Sequence, residues 1–153
     1  MKNFFFLFFI PFISFSQMEN LPDRPSFKAN MIENAPELDG NVLGDIIWKN
    51  LTTVGPMLQS KPSFGLPSTE KTDIKIAFSK TMMFIGVVCY DSSPNTLVVS
   101  DSRRDASLDD DDSFLFIIDT YNDQQNGFLF GTNSAGMEYD AQIDNEGVGN
   151  RTA

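Results

Sequence analysis

The sequence contains no histidine and only one cysteine, and each shortage excludes a class of chemistry. Without histidine, the chain cannot build a Ser-His-Asp triad, a Cys-His pair or a His-rich zinc site. With one cysteine, no intrachain disulfide can form. Because this residue, Cys89, lies in an apolar run, we predict that it is a small buried side chain.

Basic residues are also few, with 11 Lys and Arg against 21 Asp and Glu and a formal net charge of −10. Nucleic acid requires a basic surface that neutralises its phosphates, and anionic membranes attract basic segments. We therefore expect no nucleic-acid partner and no binding to an anionic membrane surface. An acidic balance suits a soluble protein, or one that collects cations.

The most apolar stretch of the chain is too short to span a bilayer, which takes roughly 20 residues. This stretch, Phe4–Phe15, follows Lys2 and ends at the small residues Ser14 and Ser16. The pattern is typical of a cleavable secretory signal peptide. We predict a signal peptide over residues 1–16 and export of the remaining chain, with a retained N-terminal anchor helix as the alternative.

The rest of the chain is long enough for one domain and leaves little room for a second. Prolines punctuate residues 17–37, which we predict to be an extended leader or a strand packed late. The domain is predicted over residues 38–153. Helix-like apolar spacing in Val42–Leu51 predicts one short helix that carries Trp48, and residues 52–72 are predicted to be loop.

From Asp73 onward the apolar residues recur every second position, which indicates strands. A hairpin is expected through Ser79–Thr81, and its second strand is apolar on both faces and is therefore expected in the middle of a sheet. The predicted strands are Asp73–Phe78, Met82–Tyr90, Leu97–Val99, Ser113–Asp119, Gly127–Asn133 and Met137–Ile143.

Short strands with almost no helix predict an all-β fold, an antiparallel β-sandwich of immunoglobulin-like or jelly-roll-like type. The polar, glycine-rich end Asn145–Ala153 provides no closing strand. We expect the sandwich to be truncated at its C-terminus, with a frayed tail as the alternative.

A series of short motifs gives the chain a resemblance to a known family. The turn Leu38–Gly40 precedes Trp48, and a hairpin ends in Cys-Tyr-Asp at Asp91. The remaining motifs are Arg104-Asp105, Asp111-Asp112-Ser113, Ile118-Asp119-Thr120, Asn126-Gly127 and Asn133-Ser134-Ala135-Gly136. In this order, over roughly Glu37–Gly149, they resemble the family 9 carbohydrate-binding-module-like domains. The similarity is to the N-terminal module of exported bacterial proteins whose large C-terminal domain resembles an outer-membrane β-barrel.

The resemblance implies a non-catalytic module that binds a polysaccharide or oligosaccharide in the periplasm, at the outer membrane or outside the cell. It also implies the protein's own C-terminal domain as a partner. Family members stack sugars on tryptophans, but Trp48 is the only tryptophan here and its position matches a packing residue. Two alternatives remain open: an interaction module that packs on the barrel-like domain, and a fragment of a glycoside hydrolase whose activity would lie in a missing C-terminal part.

The acidic stretch 101–112 is the strongest candidate for chemistry. Its carboxylates suit Ca²⁺, which takes six to eight oxygen ligands, although the spacing is not that of an EF-hand. The predicted ligands are Asp101, Asp105, Asp109 and Asp111. The alternative is a solvated acidic loop in which Asp112 pairs with one of two neighbouring arginines.

Five residues are candidates for sugar binding because their side chains can exchange hydrogen bonds with hydroxyl groups. They are Arg103, Arg104, Asp112, Asn133 and Gln142. An intramolecular salt bridge is the alternative role of the arginines, and exposed strand polarity would explain the amides. The paired carboxylates of a glycosidase could come from Asp112, Asp119, Asp140 and Asp144, although chance proximity is the stronger account.

Overall fold

The computed structural model describes residues 26–147, which form strands with one four-residue α-helix in that part of the chain. The predicted signal peptide and much of the predicted leader lie outside the described residues. The strands are β1 (Asn30–Met31), β2 (Thr72–Phe78), β3 (Met83–Cys89), β4 (Ser113–Ile118), β5 (Gly127–Asn133) and β6 (Tyr139–Ile143), and the helix α1 is Ile46–Lys49. The all-β prediction is confirmed.

The strands form two three-stranded sheets, with the orders β1-β2-β3 and β4-β5-β6. The chain divides into two compact units. Of the described residues, the first unit contains 26–56 and 73–88, and the second unit contains 57–72 and 89–147.

In the first unit, β1 pairs in parallel with β2, with Asn30 opposite Ala77. The predicted leader therefore contains a short strand. The prediction that the strands pair antiparallel is wrong for β1 and β2. Because β1 takes the free side of β2, the central strand of the sheet is β2. The prediction that β3 lies in the middle is wrong within the described sheet, where β3 is an edge strand. Its last residue, Cys89, is exposed rather than buried as predicted.

The predicted hairpin between β2 and β3 is confirmed, because a four-residue connection between neighbouring strands allows only antiparallel pairing. The turn is closed by Ser79, whose N–H donates to the carbonyl of Met82 at 2.8 Å. The Ser79 hydroxyl accepts from the Met82 N–H at 3.1 Å. Serine thus supplies both the backbone and the side-chain bonds of the turn.

The core of the first unit contains Trp48, Ala77 and Phe84. Helix α1 begins after Asp45, whose carboxylate accepts from the N–H of Ile47 at 2.8 Å and caps the helix. The short helix predicted around Trp48 is confirmed, although it covers fewer residues than the apolar spacing indicated. The Trp48 side chain is 3% exposed, so its interpretation as a packing residue is also confirmed.

In the second unit, β4, β5 and β6 pair antiparallel, with Phe116 opposite Phe130 and Phe130 opposite Asp140. Side chains alternate between the two faces of each strand. One face buries Leu129 and Ala141, and the other carries Phe130 and Asp140. The polar and aromatic residues of the second face are therefore presented together by the register of the strands.

Two strand predictions differ from the structure in the second unit. Leu97–Val99 is not a strand; a 3₁₀ turn precedes it, and one backbone bond, from the Asp112 N–H to the Val98 carbonyl at 3.0 Å, connects it to the residue before β4. The last strand begins at Tyr139 rather than Met137, because the Met137 N–H donates to the side chain of Asn133. Residues 52–71 contain no strand, and Thr72 is the first residue of β2. Two isolated bridges are the only β-pairing that this loop makes within the described residues, so the predicted loop is confirmed.

None of the helices within residues 26–147 is long and apolar enough to cross a membrane.

Candidate functional site

The acidic loop, Asp101–Asp112, is organised by hydrogen bonds to its own carboxylates. The Asp101 carboxylate accepts the Arg103 backbone N–H at 2.8 Å and receives the Arg103 guanidinium on both oxygens, the shortest contact being 2.6 Å. These bonds from Arg103 lower the pKa of Asp101 from 3.8 to about 2. The loop therefore contains a salt bridge to an arginine, as the alternative predicted, but the aspartate is Asp101 rather than Asp112.

We expect the Asp101–Arg103 pair to make folding sensitive to acid. A carboxyl group whose folded pKa is lowered contributes stability above its unfolded pKa, and that contribution disappears as the pH falls through the folded pKa. The melting temperature should therefore fall between about pH 4 and about pH 2, the interval set by the two pKa values. Thermal unfolding monitored by circular dichroism measures this fall, and Asp101→Asn should make it shallower. An equal slope in the variant and the unmodified chain would show that Asp101 is not responsible.

Asn133, at the end of β5, connects the sheet to the acidic loop. Its amide nitrogen donates to the Asp101 carbonyl at 3.0 Å and to the Asp111 carboxylate at 2.7 Å. Its amide oxygen accepts from the N–H groups of Ala135 at 3.1 Å and Met137 at 3.2 Å. These bonds use both donors and both acceptor lone pairs of a side chain that is 6% exposed. Asn133 therefore holds the loop in place and has no group left for a ligand.

The two aspartates that precede β4 also bind backbone groups. Asp111 accepts from the Ser100 N–H at 2.6 Å, and Asp112 accepts from the Val98 N–H at 2.6 Å. The pKa of Asp111 is lowered, first by the Asn133 amide and then by Ser100. The Asp111 carboxylate thus stays ionised, and both aspartates hold the segment beside the loop.

Arg104 lies at the centre of a group of carboxylates on the exposed surface. Its guanidinium contacts Asp105 at 3.2 Å, Glu138 at 3.1 Å and, most closely, Asp140. Asp105 has a left-handed backbone (φ 59°), donates its N–H to the Glu138 carbonyl at 3.0 Å and accepts from the Asp140 N–H at 3.2 Å. The loop is therefore attached to the start of β6, where Arg104 orients two carboxylates of the strand region.

A shallow groove of about 290 Å³ runs beside this group and is formed by β5, β6 and the turn between them. Its lining includes Phe130, Tyr139, Glu138 and Asp140. The Phe130 ring is 36% exposed and stacks on Phe116 with a centroid distance of 5.5 Å. We name this arrangement the β5–β6 groove, and it combines an aromatic surface with carboxylates that an arginine holds in position.

The structure brings some of the predicted sugar-binding residues to this groove and separates others from it. Arg104 contacts two carboxylates of the groove lining. Gln142 is two positions after Asp140 on the same face of β6 and donates to Asp144 at 2.9 Å. Arg103, Asp112 and Asn133 instead make the loop contacts described above.

Sequence analysis missed two residues of the groove, Phe130 and Glu138. The alternation in β5 could have indicated that Phe130 shares a face with the polar residues of β6, but this requires the strand register. Glu138 lies in the predicted last strand, and nothing in its spacing indicated Arg104 as a partner. The candidate carboxylate Asp119 lies elsewhere in the second unit and accepts the N–H groups of Asp123 and Gln124.

The predicted calcium ligands are not arranged as a cation site. In residues 26–147, no group of three or more His, Cys, Asp or Glu side chains converges in a way that could hold a metal ion. Asp101 is paired with Arg103, Asp105 with Arg104, and Asp111 with Asn133. The backbone of the fourth predicted ligand, Asp109, donates to the Ser107 hydroxyl at 3.2 Å. A cation that bound here would have to displace these partners.

No protein-family model, curated protein or solved structure matches this chain.

Proposed function

We propose that the protein is a non-catalytic carbohydrate-binding module that binds a polysaccharide or oligosaccharide in the β5–β6 groove. The observation that carries the proposal is the position of Phe130 directly opposite Asp140, a carboxylate that Arg104 holds. Sugar rings pack their C–H faces on aromatic rings, and their hydroxyl groups exchange hydrogen bonds with carboxylates and guanidinium groups. Both kinds of contact are adjacent here.

Preorganisation supports the same proposal. The Phe130 ring is stacked on Phe116, so binding a sugar on its exposed side costs little side-chain entropy. Arg104 likewise holds the carboxylates of Glu138 and Asp140, which can accept hydroxyl hydrogens without a large rearrangement. The groove is open and shallow, which suits an extended glycan chain better than a small enclosed ligand.

The test is calorimetric titration with a panel of soluble polysaccharides and their oligosaccharides. We expect saturable binding to at least one glycan, and we expect Phe130→Ala and Arg104→Ala to weaken it by roughly tenfold or more, about 1.4 kcal/mol each. Phe64→Ala is the matched control, because Phe64 is 88% exposed in the loop and outside the groove. Asp144→Ala controls for the loss of a surface charge.

Two results would contradict the proposal. The first is the absence of binding across the panel by a protein whose circular dichroism shows that it is folded. The second is binding that Phe64→Ala weakens as much as Phe130→Ala does, because the aromatic contact would then lie outside the groove.

The proposal includes the finer fold predicted from the sequence, a β-sandwich of immunoglobulin-like or jelly-roll-like type. The strand order and sheet pairing of the chain determined by NMR would test it. Export to the periplasm, the outer membrane or the cell exterior, and a C-terminal domain as partner, belong to the same proposal.

Calcium binding stays a prediction of the sequence alone. If calcium binds the acidic loop, the melting temperature should be higher in calcium than in chelator. Equal melting temperatures in both solutions would agree with the arginine and asparagine partners that the loop carboxylates have in the structure.

A further inference from the structure

We propose that the outer edge of β4 is a docking site for an extended apolar segment that is flanked by basic residues and adds to the sheet as a further strand. β4 is an edge strand in the described sheet, and it pairs on one side with β5. Addition of a strand to such an edge is a common mode of peptide recognition, in which the main chain supplies affinity and the side chains supply specificity.

The backbone of β4 offers unused donors on its outer side. The Asp140 N–H of β6 points away from β5, because it donates to a carboxylate of the acidic loop at 3.2 Å. Phe130 lies opposite Asp140, so it also turns its backbone groups away from β6 and towards Phe116 of β4. Backbone groups alternate between the two sides of a strand, so the N–H groups of Leu115 and Ile117 point to the outer side of β4, where no strand of the described chain pairs with it. They are the donors that an added strand requires.

The side chains of β4 lack the features that usually protect an edge. Its sequence, Ser-Phe-Leu-Phe-Ile-Ile, contains no charge and no proline. Ile117 is 61% exposed, and Leu115 beside it is also exposed. The exposed apolar residues Leu97–Val99 lie next to Asp112, the residue that precedes the strand. An incoming strand with apolar side chains would cover this surface.

The charges around β4 select the kind of partner. From Leu97 to Gly147 the chain has two arginines, no lysine and twelve acidic residues. Acidic residues lie at both ends of the strand, at 109–112 before it and at Asp119 and Asp123 after it. The pKa of Asp123 is lowered, mainly by the backbone N–H of Asn126, so its charge persists at neutral pH. Basic residues at both ends of an incoming strand would therefore be attracted.

The same charges argue against a second copy as the occupant. In an antiparallel pair of β4 strands, residues 109–112 of one copy would approach Asp119 of the other. Like charges placed opposite each other across a strand pair destabilise it. A segment with basic ends has no such repulsion, so we commit to that partner.

The test uses a short synthetic peptide of alternating valine and threonine with a pair of lysines at each end. Fluorescence anisotropy should show saturable binding that weakens with added salt, because exposed charges are screened. The same peptide with glutamates in place of the lysines should bind at least about tenfold more weakly. Hydrogen exchange should show that the lysine peptide protects the amides of Leu115 and Ile117.

Ile117→Lys places a charge on the edge and should weaken binding of the lysine peptide by roughly tenfold or more. Phe64→Lys, in the exposed loop, is the matched control and should leave binding unchanged. If Ile117→Lys does not fold, amide protection in the unmodified chain still decides the question.

The proposal is overturned if neither peptide binds, if both bind equally, or if the protected amides lie outside β4. It is also overturned if the amides of Leu115 and Ile117 become protected at rising protein concentration without peptide, since the occupant would then be a second copy.

Discussion

Replacing Trp48 with alanine is expected to lower the free energy of unfolding by about 3–5 kcal/mol, the usual cost of removing a large aromatic side chain from a core. Trp48 is buried, and it packs with Ala77 and Phe84. Since the whole stability of a domain is commonly about 5–15 kcal/mol, this single change should remove a large part of it.

The close contact between Gly86 and the Trp48 ring provides a second variant that tests the same core. A Cβ atom built on Gly86 would lie 3.0 Å from three atoms of the indole ring, so a side chain at this strand position requires the ring to shift by a few tenths of an ångström. Gly86→Ala should destabilise the protein by about 1–3 kcal/mol through overpacking. In the Trp48→Ala background the space is free, and the same change should cost less. The two effects should therefore not be additive.

Urea unfolding followed by circular dichroism measures each variant, because the substitution removes the only tryptophan and its fluorescence. Phe64→Ala is the control, and its effect should stay within about 0.5 kcal/mol because the side chain is on the surface. If Trp48→Ala unfolds at the same urea concentration as this control, the core assigned to the first unit is wrong.

The features that the sequence predicted correctly are those that depend on local pattern. Alternation of apolar residues located β2, β4 and β5, because a strand half buried in a sheet repeats every second residue. The Ser79–Thr81 turn and the helix at Trp48 were likewise found from their local chemistry.

The features that it predicted wrongly depend on which strand lies next to which. β3 is apolar on both faces, but β1 takes the second side of β2 and leaves β3 at the edge with Cys89 exposed. Periodicity describes the faces of a strand and does not identify its neighbours. For the same reason Leu97–Val99 looked like a strand, although it makes only one backbone-to-backbone bond, to Asp112, with the described residues that lead into β4.

The candidate site shows the same limit. Arg104 was identified as a possible binding residue, but its partners Glu138 and Asp140 lie 34 and 36 positions further along the chain. Phe130 joins the site through the register of β5 and β6. Asn133 was predicted to face a sugar because it is polar, and the structure instead uses its whole amide inside the protein.

Asn133→Asp is expected to be among the most damaging conservative changes in the second unit. The new carboxylate would have no hydrogen to donate to the Asp111 carboxylate or the Asp101 carbonyl, which now accept from the amide at 2.7 and 3.0 Å. The buried carboxylate at position 133 would then face the half-buried carboxylate of Asp111. We expect a loss on the order of 3–5 kcal/mol at pH 7, the cost of leaving a buried charge uncompensated.

The effect of pH separates this explanation from a general loss of packing. Two facing carboxylates raise the pKa of one of them in the folded state, because both cannot easily be ionised. A group with a raised folded pKa contributes stability below its unfolded pKa and loses it as the pH rises through the folded value. The difference between Asn133→Asp and the unmodified chain should therefore be larger at about pH 7 than at about pH 4.

Asn126→Asp is the matched control, since the Asn126 amide also donates to a carboxylate, that of Asp123, at 2.7 Å. That contact is exposed, so the same change of atoms should cost at most about 1 kcal/mol and depend less on pH. Urea unfolding at the two pH values measures both variants. Equal losses for Asn133→Asp and Asn126→Asp would mean that burial of the Asn133 amide does not stabilise the acidic loop. A larger loss for Asn133→Asp that shrinks in acid would show that this amide holds the loop against β5, and with it the position of Arg104 beside the groove.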